Sequence, residues 1–167
     1  MVSKREIIMA TIVEDGTIVS NANSYVSDAN FATYASDHGI TVTGVAAQLL
    51  LRAAIYVEQL QFIGAKKTKA QTMQWPRTSV NIDGFAIDSD EIPQLLVDLQ
   101  CEVALAVDGG DDPLATVARA IKKEKVDVIE VEYSDNAAPF VYNLKIKALE
   151  RKLTGTSGGM SFKVSRV

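Results

Sequence analysis

Thiol and imidazole are nearly absent from this chain. Of 167 residues, one is cysteine, Cys101, and one is histidine, His38. A single cysteine excludes a disulfide within the chain, and one Cys with one His cannot supply a structural zinc set. A Ser-His-Asp or Cys-His catalytic set would have to run through His38. That residue stands beside the helix-stopping Gly39, where a cationic group suits a helix C-terminus, and no G-x-S-x-G elbow accompanies it. Cys101 lies among Leu99, Val103 and Ala104, the setting of a packed core thiol. No apolar run approaches the roughly 18 residues that span a bilayer, so no membrane partner is expected. The opening stretch MVSKREIIMATIVEDG lacks the apolar core and cleavage site of a signal peptide, so export is not expected. Walker and G-x-G-x-x-G loops are missing, and GTSGG (155–159) lacks the lysine and following helix of a phosphate cradle. The acidic run DGGDD (108–112) lacks the spacing and closing Glu of a calcium loop, and reads as a solvated connection. Neither metal nor cofactor is expected, and the chain is not read as an enzyme.

What is present is an ordinary globular composition, 47% hydrophobic and 23% charged, of a length suited to one domain. The charge is unevenly spread. Residues 1–143 hold 11 basic and 20 acidic side chains. Residues 144–167 hold six basic groups (Lys145, Lys147, Arg151, Lys152, Lys163, Arg166) against Glu150 alone. An acidic body with a basic tail points to a negative partner for the tail, either nucleic acid or an acidic protein surface.

Hydrophobic spacing predicts a mainly α protein: a small bundle of about four helices with a β-hairpin or strand element and extended N- and C-terminal arms. Residues 1–26 read as an extended arm. In it Asp15-Gly16, between Ile12-Val13 and Ile18-Val19, signals a hairpin. Residues 27–153 read as the helical domain. Ser27 caps a first helix that Gly39 ends. A second helix runs from about Val45 to Phe62; it is apolar on most sides, as in a bundle centre or a subunit contact, with a polar stripe Gln48, Arg52, Tyr56, Gln59. Asp83-Gly84 is a turn. Pro93 opens a third helix with a polar stripe Gln94, Asp98, Glu102. Lys125 to Tyr133 alternates like a strand, with one slip at Val128-Ile129. Pro139 opens a fourth helix, to about Leu153, with the apolar stripe Phe140, Leu144, Ala148. Residues 154–167 are a flexible basic tail whose end, SFKVSRV, alternates like a strand.

The stretch QWPRTSV (74–80) holds the only Trp of the chain beside Pro76 and Arg77. Pro76 fixes its own φ and biases Trp75 towards an extended backbone. A catalytic loop, a nucleic-acid finger and a structural clamp all fit these residue types. The clamp is the preferred reading: Trp75 plugs the bundle or a neighbour's groove, and Arg77 pairs with a carboxylate such as Asp83, Asp88 or a neighbouring subunit's acid. Lys66, Lys67 and Lys69 precede Trp75 and Arg77, a small basic and aromatic grouping; the acidic body opposes nucleic-acid binding at physiological salt.

Taken in order, "IVEDGT", "NANSYVSDANFATYASDHG", "RAAIYVEQLQFIGAK", "QWPRTSV", "IP" and "KVDVIEVEY" resemble the phage head–tail adaptor proteins, also called connector or head-completion proteins. Related sequences carry the label DnaT-like single-stranded DNA binding protein. The resemblance spans roughly residues 12 to 150, and Ser79 departs from it where Gly is frequent after the Pro-Arg pair. It implies a structural virion protein without catalysis. Such proteins form a homo-oligomeric ring, usually of twelve copies, that docks on the portal, extends the DNA channel and receives the tail or the next connector. The place implied is the virion neck, after assembly in the bacterial host cytoplasm. Lys145, Lys147, Arg151, Lys152, Lys163 and Arg166 are then the candidates to face portal or packaged DNA. The alternative is a single-stranded DNA-binding replication protein.

Overall fold

The computed structural model describes residues 10–111, 124–126, 129–131 and 144–155. The protein is mainly α, a small bundle with short strand pairs. Ser27 begins the first helix, α1 (Asp28–Asp37), as its spacing predicts: its side chain accepts from the Asn30 N–H, and Asp28 sits in the positively polarised first turn. The second helix, α2 (Ala46–Glu58), ends before Phe62 and buries Ala47, Leu49, Leu50, Ala53, Ala54 and Val57. It packs chiefly on α3 (Gln94–Asp108), which in turn packs on α4 (Leu144–Thr154). Pro93 is the N-cap residue of α3.

Three short antiparallel pairs complete the described fold: β1 (Ala65–Lys66) with β2 (Arg77–Thr78), β3 (Val80–Ile82) with β4 (Phe85–Ile87), and β5 (Glu124–Val126) with β6 (Ile129–Val131). The alternating stretch after Glu124 is thus two paired strands rather than one strand with a bulge. The β3–β4 turn is Asp83-Gly84, with φ +53° and +90°, the positive pair that a two-residue hairpin loop requires.

Three further sequence expectations fail for identifiable reasons. Asp15-Gly16 does not make a hairpin. The buried Glu14 carboxylate accepts from the N–H groups of Gly16, Ile18 and Val19 at 2.9, 3.0 and 2.9 Å, so the chain curls around that side chain. Residues 10–26 lie against the body instead of projecting as an arm: Val13 bridges Ser24, and Ala22, Tyr25 and Val26 join the core. In α4 the buried stripe is Ile146, Leu149 and Leu153, not Leu144 and Ala148; Leu144 is 84% exposed. The expected start at Pro139, with Phe140, lies outside the described residues, as does the tail after Gly155.

The core also holds polar groups where the helical period forecasts none. Gln100 is fully buried in α3. Its Oε1 accepts from Tyr25 N at 2.8 Å, and its Nε2 donates to Ser24 Oγ at 2.9 Å and Leu50 O at 3.0 Å. The amide is satisfied on both ends, which is what makes its burial tolerable. Asp108, expected as part of a solvated loop, accepts from Thr43 N, Thr43 Oγ1 and Gly44 N, and so orders the chain entering α2. These three hydrogen bonds hold its carboxyl below the usual range.

Candidate functional site

The 74–80 stretch folds inward. Trp75 is fully buried and meets the Phe62 ring edge to face at 5.9 Å. Its peptide bond to Pro76 is cis, and Pro76 is buried as well. Backbone groups here need partners because water is excluded. Trp75 N donates to the Tyr25 hydroxyl at 3.1 Å, and Gln74 N donates to Glu58 Oε2 at 2.9 Å. The Tyr25 hydroxyl in turn donates to Glu58 Oε1 at 2.5 Å. Burial raises the Glu58 carboxyl above its ordinary range, and burial with the Glu58 charge raises Tyr25 far above the tyrosine range. The Tyr25 shift keeps the shared proton on the phenol, while the Glu58 shift works against it.

Arg77 does not make the expected pair with Asp83 or Asp88. Its guanidinium donates to the carbonyls of Ile63, Phe62, Gly64 and Gln74 and to the Gln74 side-chain oxygen, at 2.8 to 3.2 Å. The planar fork uses its donors to gather one turn of backbone after α2. Gly64 is required in that turn: its φ is +74°, and a Cβ there would lie 2.4 Å from Thr78 O. Ser79, where the adaptor pattern favours Gly, takes φ +57°. Trp75, Pro76 and Arg77 therefore hold the loop between α2 and α3 and present no polar group to a ligand.

The basic candidates divide. Lys145 is knit into the body: its Nζ donates to Glu102 Oε1 at 2.6 Å, Tyr34 Oη at 2.9 Å and His38 Nε2 at 3.2 Å. The Tyr34 carbonyl lies 2.8 Å from His38 Nδ1, so Nδ1 donates and Nε2 is the acceptor for Lys145. Glu102 and Tyr34 together hold the ammonium charged above the usual lysine range. Glu102, which belongs to the polar stripe of α3, is buried at this contact. Lys147 and Arg151 are exposed on α4. Lys152 pairs with Asp83 Oδ2 at 2.7 Å. Lys163 and Arg166 lie outside the described residues.

Backbone contacts then bring separate cations to one end of the molecule. Ile63 N donates to Leu153 O at 3.1 Å, which joins the lysine loop to the last turn of α4. β1 carries Lys66, and Lys67 and Lys69 follow it. Arg151 and Lys152 stand on the facing turn, and the Lys152–Asp83 pair draws in the tip of the β3–β4 hairpin. Three acids stand among them: Glu58 accepts from Tyr25 and Gln74 N, Asp83 pairs with Lys152, and Glu150 accepts from the Tyr56 hydroxyl. The Ile63–Leu153 bond thus puts two groups of cations, Lys66, Lys67 and Lys69 and then Arg151 and Lys152, on adjoining segments, a basic end on an acidic protein that also includes Glu58, Asp83 and Glu150. Charge counting alone missed it, because its two halves are more than eighty residues apart in sequence. Among the described residues no group of three or more His, Cys, Asp or Glu is placed to hold a metal ion, and no helix is long and apolar enough to cross a membrane.

Comparison with known proteins adds one finding. A family model described as "Putative DnaT-like ssDNA binding protein" matches residues 9–167. No curated protein and no solved structure gives a significant match.

Proposed function

This chain belongs to the family so described, and from that premise we propose that it binds single-stranded nucleic acid through phosphate contacts at its basic end, without reading sequence. The observation that carries the reading is the Ile63–Leu153 hydrogen bond, which sets the segment bearing Lys66, Lys67 and Lys69 beside the turn of α4 bearing Arg151. Lysine and arginine on a backbone-tracking ridge give affinity by releasing counterions, which needs no base-specific group. The acidic remainder repels phosphate and confines contact to that end. The mode is one of binding, with no bond made or broken.

Fluorescence anisotropy with a labelled oligothymidylate, over a series of salt concentrations, tests this. For single strands the logarithm of affinity falls with the logarithm of salt by about 0.7 per phosphate neutralised, so four contacts give a slope of about −3. Changing Lys66, Lys67 and Lys69 together to Gln removes about two units of that slope. A slope unaltered by the triple change, or no binding at low salt, overturns the proposal.

A second reading, the ring-forming head–tail adaptor that docks on a portal in the virion neck, is favoured by a different observation. Val45, Ile55 and Leu144 leave large apolar side chains exposed on or beside helices, 54%, 54% and 84% respectively. A closed ring joins two different faces of each subunit and would cover such groups. In that assembly, usually of twelve copies, the basic end would face the portal or the packaged DNA, and the next connector or tail would dock opposite. Native mass spectrometry and electron microscopy of the purified protein separate the readings. A monomer that binds oligothymidylate supports the first; rings that leave it unbound support the second.

A further inference from the structure

Phe85 is 75% exposed, the most exposed aromatic among the described residues. Its position is fixed by the hairpin. Ile82 and Phe85 are direct partners across the Asp83-Gly84 turn, so both side chains leave the same face. Val80 and Ile82, on the inner strand, use that face to enter the core. Phe85, on the outer strand, overhangs its rim. The tip is tied down by the Lys152–Asp83 pair, and Lys152 is next in sequence to Arg151. An exposed aromatic ring thus stands on a two-stranded element beside the basic end. Asp83 is the one acid at the tip, and Lys152 offsets its charge.

Resting on the phosphate-binding reading above, we propose that Phe85 is the platform on which an unpaired base stacks, and that it sets the preference for single strands over duplex. A positively charged surface alone holds both forms. In a duplex each base face is covered by its neighbours, whereas a single strand can offer one to a ring. Stacking is available to all bases, so the contact adds affinity without adding sequence preference. The exposed ring has no role in the core, and its removal leaves the Ile82 and Val80 packing in place.

The experiment compares the full-length protein with Phe85→Leu and Phe85→Trp by anisotropy on three labelled probes at low salt. These are an oligothymidylate, a duplex of the same length, and an abasic oligomer with the same number of phosphates. Thermal melting checks that each variant is folded. The expected result is that Phe85→Leu loses about five- to a hundredfold on oligothymidylate, the span that stacking on one ring carries. It loses nothing on the abasic or duplex probes, and Phe85→Trp keeps the wild-type preference. Equal affinity of wild type and Phe85→Leu for oligothymidylate overturns the role of Phe85 while leaving the phosphate reading intact. If the wild-type protein ignores all three probes, the phosphate reading itself fails and takes this inference with it. A Phe85→Leu change that alters the sedimentation of the protein but not its affinity for oligothymidylate assigns the ring to a protein contact and also overturns the proposal.

Discussion

Two Asp-Gly pairs sit between β-branched stretches in this chain, in IVEDGTIV (12–19) and VNIDGFAI (80–87). By turn chemistry they are near equivalents. The second becomes a two-residue hairpin; the first becomes a curl whose flanks meet only in the isolated parallel bridge of Val13 with Ser24. The difference lies in the residue two before the glycine. Ile82 offers only an apolar side chain, so the backbone groups of β3 and β4 pair with one another. Glu14 offers a carboxylate that accepts the N–H groups of Gly16, Ile18 and Val19, and a second strand then has fewer donors left to give. A charge-assisted acceptor within reach outbids a ladder that would supply ordinary hydrogen bonds. A turn dipeptide therefore permits a hairpin, and the side chains around it decide whether one forms.

The glycines give the sharpest way to break this comparison. Gly16 has φ +101°, and a Cβ there would lie 1.9 Å from Asp90 O; Gly84 has φ +90° and open space around it. Gly16→Ala carries both backbone strain and a clash with main chain, so a loss of about 4 kcal/mol is expected. Gly84→Ala carries the strain alone, about 1 to 2 kcal/mol. Urea unfolding of both variants checks the gap; equal losses would show that the curl moves freely off the segment before α3.

Removing the acceptor should cost somewhat less. Glu14→Ala leaves three N–H groups without their carboxylate, for an expected loss of about 3 kcal/mol, or roughly 6 to 12 °C in Tm. If melting is unchanged, Glu14 does not hold the curl. A smaller effect is expected from acid. The Thr17 hydroxyl, and then the Thr17 N–H, hold the Asp15 carboxyl below its usual value. A lowered folded-state value means that its contribution is present above the unfolded value and is lost as pH falls through the folded one. Asp15→Asn should therefore flatten part of the fall in Tm below about pH 4, leaving neutral-pH behaviour nearly unchanged. Smallest of all, Lys152→Ala frees the hairpin tip, but the pair is exposed, so the stability change should stay under about 1 kcal/mol. A larger loss would mean that the hairpin depends on α4 for its shape.

The same contrast explains what could be read from sequence. Local signals held where local physics decides: the Ser27 cap, the helix opened by Pro93, the turn at Asp83-Gly84 and the mainly α bundle. They failed where a distant partner decides. Glu102 belongs to a polar period of α3, yet Lys145 from α4 covers it. Gln100 falls on the buried side of α3 because Tyr25, Ser24 and Leu50 give its amide a use there. Arg77 carries a charge that calls for an acid, but four carbonyls after α2 reach it first. Leu144 has the right spacing for a core stripe, and α4 is rotated so that Ile146, Leu149 and Leu153 take that place. The basic end needed the Ile63–Leu153 contact to exist at all. Phe85 was hidden because alternation cannot tell an inner strand from an outer one.

The hydrogen bond from Tyr25 N to the buried Gln100 side chain has a consequence for the timing of amide exchange with solvent. Protection from exchange is commonly associated with helices and strands, but it requires only that opening the bond disturb the core. Tyr25 lies outside regular structure, and releasing its N–H means breaking an amide that also holds Ser24 and Leu50. Its proton should exchange on the schedule of the central turns of α2 and α3, far more slowly than its irregular backbone would suggest. The slowest-exchanging unit of this molecule would then be drawn around one glutamine, and would include a loop.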